Sequence, residues 1–295
     1  MPKFSVIIPT YNRATLLKQA LDSVFNQSFL DYEIIIVDDG STDDTWQYLQ
    51  SLKAKVTYYR QYNKGPAAAR NLAAHHASGD YLAFLDSDDL WHPDTLRHLN
   101  QIIDQHPHVS WIRIPLIQFE HSPPPFLHSP LKYDSYPNLF SAFPKVCYVG
   151  SGQTCIHRDT FIRSGGYKPD LHTAEDHDLA LRLGTLPNFV DILDPPLLAC
   201  RVHPHNTTAD PQKIYLGISQ LIRSENNHLY PGDPHFTSVR RAIIAQHARS
   251  HSTALLKHSN KLAWSLYAQT FPWQLSSHAW KYVLGFPFLS LLSPR

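Results

Sequence analysis

The sequence is short of cysteine and of long apolar runs. It holds three cysteines, Cys147, Cys155 and Cys200, an odd number without a CxxC pair. This usage gives no disulfide framework and is typical of a reduced, cytosolic protein. A membrane span needs about 18 or more uninterrupted apolar residues. The most apolar run, 282–292, has only 11 residues and contains a glycine and a proline, so no membrane span is predicted.

Net charge is also small, because 26 Lys and Arg residues balance 25 Asp and Glu residues to give +1. No basic run with interleaved aromatic residues occurs, so nucleic acid is not an expected partner. The start, MPKFSVIIPTYN, leads directly into a strand-like run without the features of a signal peptide, and we expect a cytoplasmic protein. With 295 residues, 43% apolar, and a mean hydropathy of −0.31, the chain can form one large globular domain or a domain with an appendage.

The most informative stretch is GDYLAFLDSDD, residues 79–89. Its five apolar or aromatic residues, bounded by Gly-Asp before and by acids after, predict a short buried strand. Asp86, Asp88 and Asp89 follow within four residues, and their charges repel unless a cation or a set of donors lies between them. Ligands of open α/β sheets bind outside the carboxyl ends of the strands, and hard oxygen ligands suit Mg²⁺ or Mn²⁺. The alternative is an acidic turn that caps the next helix.

Strand and helix patterns alternate before this stretch. Strands are predicted at 4–8, 33–37, 56–60 and 81–85, with helices up to about residue 27, at 43–52 and at 66–77. This order predicts a parallel sheet with helices on both faces and right-handed crossovers. The carboxyl ends of three strands, at residues 9–11, 38–39 and 86–89, should therefore meet at one edge. That convergence favours a ligand site over a capping turn.

The second half of the chain is less regular. A helix is predicted at 93–106, strands at 109–114, 153–157 and 197–202, helices at 159–164 and 174–183, and a proline-rich loop over 115–137 that crosses the mouth of the site. The helix at 174–183 has Glu175, Asp176 and Asp178 in its first turn, where acids also serve simply to cap a helix. From 211 onward only helical patterns remain, which predicts an α/β domain at 1–209 and a helical region at 210–295.

Six motifs now stand in order: SVIIPTYNR, IIIVDDGSTDDT, NKGPAAARN, GDYLAFLDSDD, AEDHDLALRL and RVHPHN. Together they resemble the family-2 glycosyltransferases of the GT-A fold, over residues 4–206. The resemblance implies a Rossmann-like, mostly parallel sheet sandwiched by helices, with a C-terminal helical extension outside the match. It also implies inverting transfer of a sugar from a nucleotide-diphosphate sugar, a UDP-sugar being favoured, to a hydroxyl of a saccharide or lipid-linked acceptor, in cell-surface polysaccharide or glycoconjugate synthesis.

The resemblance further assigns residues to the donor. The nucleotide-sugar would be bound by Pro9, Thr10, Tyr11, Arg13, Asp39, Arg70, Asp86, Ser87 and Asp88. A Mn²⁺ or Mg²⁺ ion would be held by Asp88, the last acid of the DxD motif, and by His203. The stretch before His203 departs from the family pattern, because Cys200 stands where a tyrosine is expected.

On the acceptor side, the resemblance makes Asp176 the general base that removes a proton from the acceptor hydroxyl. One base and no protein nucleophile is the arrangement for a single displacement, hence inversion. Glu175 and Arg182 are candidates to orient the base, with a surface salt bridge as the alternative for Arg182. Gly152 and Gln153 are candidates to contact the acceptor, with a plain turn as the alternative.

Two other functions are alternatives to this one. A nucleotidyltransferase should carry a glycine-rich phosphate loop after the first strand, and residues 9–13 contain no glycine. A non-catalytic nucleotide-sugar binding protein of the same fold should have lost the base or the metal acid, whereas both Asp176 and Asp88 are present.

The C-terminal region is aromatic, with lysines nearby. The residues concerned are Trp264, Trp273, Trp280, Phe286, Phe288 and Leu289, with Lys257, Lys261 and Lys281. One hypothesis is a peripheral contact with the inner face of the membrane, which would bring the enzyme to a lipid-linked acceptor. The other, which we favour at this point, is that the helices pack back on the catalytic domain or form a homodimer, because many apolar residues must simply be buried.

Overall fold

The computed structural model describes residues 1–52, 55–123, 125–126, 129–171, 173–203, 210–232 and 234–292. It divides the chain into two units. The first comprises 1–141, 149–169 and 186–203, and the second comprises 142–148, 170–185 and 204–295. The domain boundary after 209 stays a prediction; the segment that carries Asp176 groups with the C-terminal helices.

The strands are β1 (Phe4–Thr10), β2 (Tyr32–Asp38), β3 (Thr57–Arg60), β4 (Tyr81–Phe84), β5 (Leu90–Trp91), β6 (Trp111–Arg113), β7 (Leu116–Phe119), β8 (Lys132–Tyr136), β9 (Thr154–His157), β10 (Phe189–Asp194) and β11 (Leu198–Arg201). The helices are α1 (Ala14–Phe25), α2 (Thr45–Leu52), α3 (Pro66–His76), α4 (Thr95–Gln105), α5 (Leu139–Ala142), α6 (Arg158–Arg163), α7 (Glu175–Leu183), α8 (Pro211–Asn226), α9 (Thr237–Leu255), α10 (Asn260–Ser276) and α11 (Trp280–Leu292).

The first unit contains an eight-stranded sheet with the order β3-β2-β1-β4-β9-β6-β10-β8 and a small sheet with the order β5-β11-β7. Strands β3, β2, β1 and β4 are parallel to one another, as are β6 and β10, whereas β9 and β8 run antiparallel to their neighbours. The prediction of a mostly parallel α/β sheet is therefore confirmed.

The core of this unit follows from the sequence pattern. Every residue of β1 is buried, as expected for a parallel strand covered on both faces. Helix α1 buries Leu17, Ala20, Leu21 and Val24, which share one helical face. The turn before β4 requires Gly79, because a Cβ there would lie 2.7 Å from the backbone of Phe4 and Ser5. This close approach brings β4 alongside β1.

The prediction of a structureless loop over 115–137 is wrong, because β7 and β8 lie within it. Strand β8 (KYDSY) is a half-exposed edge strand, so it lacks the apolar run that marks buried strands. Its antiparallel partner β10 was not predicted either. The prolines that suggested a loop lie outside the two strands.

The second unit is helical. Gln274 of α10 donates to the Ala245 carbonyl of α9 over 2.7 Å, and the Tyr267 and Phe286 rings of α10 and α11 stack with centroids 4.6 Å apart. In the described part of the chain beyond residue 210 there is no strand, as predicted. Among the residues that the structure describes, no helix is both long and apolar enough to span a membrane.

Candidate active site

The edge formed by the carboxyl ends of β1, β2 and β4 brings the predicted donor residues together. Thr10, at the end of β1, is in register with Asp38 at the end of β2, and Asp39 N donates to the Thr10 carbonyl over 2.8 Å. Leu85 N, just after β4, donates to the Ile7 carbonyl over 3.0 Å. The predicted meeting of the three strand ends is therefore confirmed.

Asp39 is buried and organises the loop that precedes α3. Its carboxylate accepts hydrogen bonds from Lys64 N at 2.9 Å, from Gly65 N at 2.8 Å and from Gln61 Nε2 at 2.7 Å. Gly65 has a φ of +87°, a conformation that favours glycine, and α3 begins directly after it. A carboxylate has about four acceptor positions, so about one remains for a ligand.

The turn after β1 is fixed from both sides. Asn12 has a φ of +50°; its backbone N donates to Ser41 Oγ over 2.8 Å, and its side chain accepts from Thr42 N over 2.7 Å. Thr10 is 3% exposed, and its hydroxyl has no hydrogen-bond partner among the residues that the structure describes. Tyr11 is exposed. A buried hydroxyl without a partner is a polar group that a ligand can satisfy.

Two arginines hold the DxD acids. Arg70 of α3 is buried, pairs with Asp86 Oδ1 over 2.6 Å, and lies with its guanidinium 5.4 Å from the Tyr167 ring centroid. Arg13 pairs with Asp88 Oδ2 over 2.7 Å. The side chain of Ser87, between the two acids, is buried. Positive charge from two different elements therefore already compensates two of the acids.

His203 and Arg201 come to the same acids from the end of β11. His203 Nε2 lies 2.9 Å from Asp88 Oδ2, while Arg201 Nε donates to the Asp88 carbonyl over 3.0 Å. Arg201 N donates to Asp89 Oδ1 over 2.8 Å. Burial, followed by the charges of Asp86 and Asp88, raises the pKa of the Asp89 carboxyl. Further positive charge at this edge would favour ionisation of all three acids.

Asp88 and His203 fit a divalent metal that has few protein ligands. Octahedral Mg²⁺ has ligands at about 2.0–2.1 Å, so adjacent ligand atoms lie about 3 Å apart. Asp88 Oδ2 and His203 Nε2 have this spacing, 2.9 Å. The described ranges contain no group of three or more His, Cys, Asp or Glu side chains placed to hold a metal. Such an ion is commonly completed by substrate phosphates, and an imidazole ligand suits Mn²⁺ better than Mg²⁺.

Gly152 lies close to the acids that follow β4, whereas Gln153 is buried and binds the backbone. A Cβ on Gly152 would lie 3.7 Å from Oδ2 of both Asp86 and Asp89, so the backbone there runs against the acids. Gln153 is buried; it donates from Nε2 to the Ile114 carbonyl over 3.0 Å and accepts from Gly150 N over 3.3 Å. Its two polar ends thus hold the backbone around Gly152.

The second unit carries Asp176 beside a cavity of about 300 Å³. We call this cavity the base pocket; it is lined by Cys147, Tyr148, Thr173, Asp176, His177, Ile214, Ile243, Gln246, His247, Ser250 and His251. Tyr148 donates its hydroxyl to Asp176 Oδ2 over 3.3 Å, and its ring lies 4.7 Å from that of His177. The tyrosine therefore contacts both the predicted base and its neighbour.

The histidines of the base pocket stack on one another. The rings of His177 and His247 have centroids 3.6 Å apart, and His251 meets His247 edge-on at 4.6 Å. Burial, with a smaller contribution from His251, lowers the pKa of His177 to about 3, and burial also lowers the pKa of His247 and of His251. His177 is therefore neutral near pH 7.

Glu175 and Arg182 lie on the same helix as Asp176. Glu175 is half-buried at the start of α7. Arg182 pairs with Asp178 Oδ2 over 2.7 Å, and Tyr230 donates to the other oxygen of Asp178 over 3.2 Å. Asp178, in the first turn of α7, is fully buried. Arg182 therefore supplies the positive charge that pairs with this buried carboxylate.

The chain is similar in sequence to known glycosyltransferases. The sequence model described as Glycosyl transferase family 2 matches residues 5–162. An uncharacterized glycosyltransferase of Rickettsia conorii is 31% identical over 238 residues, which are 77% of this chain and 38% of the relative. The chain thus spans about two fifths of the length of that curated relative.

Solved structures show the same fold. A structure of Staphylococcus aureus TarS, residues 1–349, in complex with UDP-GlcNAc has a TM-score of 0.62 at 18% identity, covering 95% of this chain and 91% of that chain. The mannosyltransferase PcManGT of Pyrobaculum calidifontis, in complex with GDP-Man and Mn²⁺, has a TM-score of 0.56 at 19% identity, covering 99% and 86%. The fold is that of the GT-A glycosyltransferases. The chain belongs to glycosyl transferase family 2.

Proposed function

We propose that this protein is an inverting glycosyltransferase that moves a sugar from a nucleotide-diphosphate sugar to an acceptor hydroxyl. The observation that carries the proposal is the edge where Asp39, Asp86 and Asp88 meet Arg13, Arg70 and His203. Such a substrate needs carboxylates that bind its base, its ribose and a metal ion. It also needs arginines that bind its diphosphate.

A UDP-sugar is the proposed donor, and Mn²⁺ or Mg²⁺ the proposed metal. The TarS structure with UDP-GlcNAc and the PcManGT structure with GDP-Man and Mn²⁺ share this fold and support a nucleotide-sugar and a divalent ion. The Thr10 hydroxyl and the remaining acceptor position of Asp39 would bind the nucleoside. Arg13 and Arg70, both beside the DxD acids, would bind and neutralise the diphosphate.

A metal on Asp88 and His203 would stabilise the negative charge that the leaving diphosphate gains as the glycosidic bond breaks. The protein's own contribution at this edge is positioning. Arg70 is held by Asp86 and faces Tyr167, and Arg13 is held by the fixed turn after β1. Because both guanidiniums are already placed, little reorganisation accompanies charge development.

Asp176 is proposed as the general base. Its carboxylate lies at the base pocket and accepts a hydrogen bond from Tyr148 over 3.3 Å, which orients one oxygen. The described residues that line this pocket include no lysine or arginine, and His177 is neutral there. These properties suit an uncharged saccharide better than a phosphate, so we propose that a sugar ring of the acceptor enters the base pocket, in the synthesis of a cell-surface polysaccharide or glycoconjugate.

The donor half is tested by thermal unfolding with UDP, GDP, dTDP and CMP, each with and without Mn²⁺. We expect one diphosphate to raise the melting temperature in a metal-dependent manner, since binding at about 100 times Kd adds about 2.7 kcal/mol of stability. Asp88→Ala should abolish the shift, whereas Asp104→Ala, which changes an exposed acid of the same unit, should keep it. The absence of a shift with all four nucleotides would contradict the proposal.

The catalytic half is tested with the nucleotide-sugar of the base so found, by following release of the nucleoside diphosphate with and without saccharide acceptors. Asp176→Asn should lower turnover at least about 100-fold, the usual contribution of a general base, and leave the nucleotide-dependent thermal shift intact. Asp170→Asn, at an exposed acid of the same unit, is the matched control. Nucleotide binding by a protein that shows no turnover would favour the non-catalytic binding protein instead.

A further inference from the structure

Helix α11 is apolar on both of its faces. Of its 13 residues, only Lys281 carries a charge. One face, with Tyr282, Val283 and Phe286, is buried, and the Tyr267 hydroxyl of α10 donates to the Val283 carbonyl over 2.8 Å. The helix is therefore anchored to its own unit through this face, which holds three of its nine Trp, Tyr, Phe, Val and Leu residues.

The other face of α11 is open. Trp280, Leu284, Phe288, Leu291 and Leu292 are between 52% and 83% exposed. From Trp280 to Leu284 to Phe288 to Leu291 the interval is three or four residues, and with the adjacent Leu292 they form one stripe along the helix, which we call the α11 stripe. Single exposed apolar residues are normal on protein surfaces, but five large ones in a continuous row mark an interaction surface.

The charge of the surrounding sequence indicates what binds there. Residues 234–295 contain no aspartate or glutamate, whereas they contain seven lysines and arginines. All 25 acids of the chain therefore lie before this segment, although the net charge of the whole chain is only +1. An apolar stripe within a basic segment that has no acids is complementary to a partner with a negatively charged surface layer over an apolar interior.

The lysines lie at both ends of the stripe. Trp264 of α10 donates from Nε1 to Ser290 Oγ over 2.7 Å, so the start of α10 lies beside the end of α11. Lys257 and Lys261, at that start, are exposed near one end, and exposed Lys281 is at the other. Long lysine side chains beside tryptophan and leucine are typical of helices that lie in a membrane interface.

We propose that the α11 stripe docks the protein on an anionic lipid bilayer, with α11 lying in the plane of the headgroup layer. A two-fold dimer through this face fits less well, because a two-fold interface joins the same patch of both copies. The lysines beside the stripe would then face the acid-free segment of the second copy, and like charges would repel. The inference stands apart from the proposed transferase activity.

The test is co-flotation of the full chain with vesicles of phosphatidylcholine alone and of phosphatidylcholine with 30% phosphatidylglycerol. We expect binding to the anionic vesicles that weakens with added salt. Lys257→Gln/Lys261→Gln/Lys281→Gln should lower the affinity about 100-fold, because each lysine near such a surface contributes about five-fold. Leu284→Gln/Phe288→Gln/Leu291→Gln should lower it at least ten-fold.

Both variants change exposed side chains, and an unaltered unfolding midpoint verifies the fold. Leu30→Gln/Tyr62→Gln, which removes two exposed apolar residues of the first unit, should bind like the parent protein. The proposal is overturned if the parent does not float with anionic vesicles. It is also overturned if the stripe variant floats like the parent, or if sedimentation shows a dimer that the stripe variant alone abolishes while vesicle binding is absent.

Discussion

Acidification should destabilise the second unit through its buried histidines. Burial lowers the pKa of His177 from an ordinary 6.5 to about 3. Between these values the unfolded chain binds a proton that the folded chain does not, so the free energy of unfolding falls as the pH falls below 6.5. At about 1.36 kcal/mol per pH unit, His177 alone removes about 2 kcal/mol between pH 6.5 and pH 5. His247, whose pKa burial also lowers, adds in the same direction.

Urea unfolding at pH 7.5, 6.5, 5.5 and 5.0, followed by tryptophan fluorescence and far-UV circular dichroism, measures this slope. His177→Phe retains a ring against His247 but cannot take up a proton, so its slope should be smaller by about 1.4 kcal/mol per pH unit. His258→Phe changes an exposed histidine of the same unit and should keep the parent slope. A parent protein whose unfolding free energy is constant between pH 6.5 and pH 5 would refute the reasoning.

Three further predictions concern stability and the donor edge. Arg240→Met removes the closer arginine of the fully buried Glu225, at 2.7 Å, and leaves Arg241 at 3.7 Å, so it should lower the free energy of urea unfolding by up to about 3–5 kcal/mol, part of which Glu225→Leu/Arg240→Met should recover. Gly79→Ala forces a Cβ to 2.7 Å from the β1 backbone and should lower the melting temperature, whereas Gly285→Ala, with nothing within 4 Å, should not; equal melting temperatures would contradict the packing argument. Asp39→Asn loses part of a three-donor carboxylate site and should both lower stability by about 1–3 kcal/mol and raise the Kd for the nucleotide, measured by calorimetry.

The sheet could be predicted where its strands are buried on both faces. Such strands leave a continuous apolar run, as in 34–37 and 81–85, and this signal is local. Strand β10 lacks it because Asp191 interrupts the run. That acid is buried only because Arg113 of β6 pairs with it over 2.6 Å, a contact between residues 78 positions apart that no local pattern reveals.

The two parts of the candidate site also differ in how much of them a local sequence pattern reveals. Asp86 and Asp88 belong to one short motif, which both the buried strand before it and the family resemblance located. The pairing of Asp88 with Arg13 depends on the register of the sheet. Tyr148 and His247 of the base pocket were not predicted, since isolated histidines among 19 carry no signal until helix packing places them together.

The hydrogen bonds of Asp39 have a consequence for the thermodynamics of donor binding. By fixing Lys64 and Gly65, this carboxylate sets where α3 begins, and α3 carries Arg70 to Asp86. The loop and the arginine therefore lose their conformational entropy when the chain folds, and little remains to be lost when a ligand arrives. The sheet edge is thus preorganised for a donor. Its affinity for that donor depends largely on how well the donor's contacts replace the ion pairs that the folded protein already makes there.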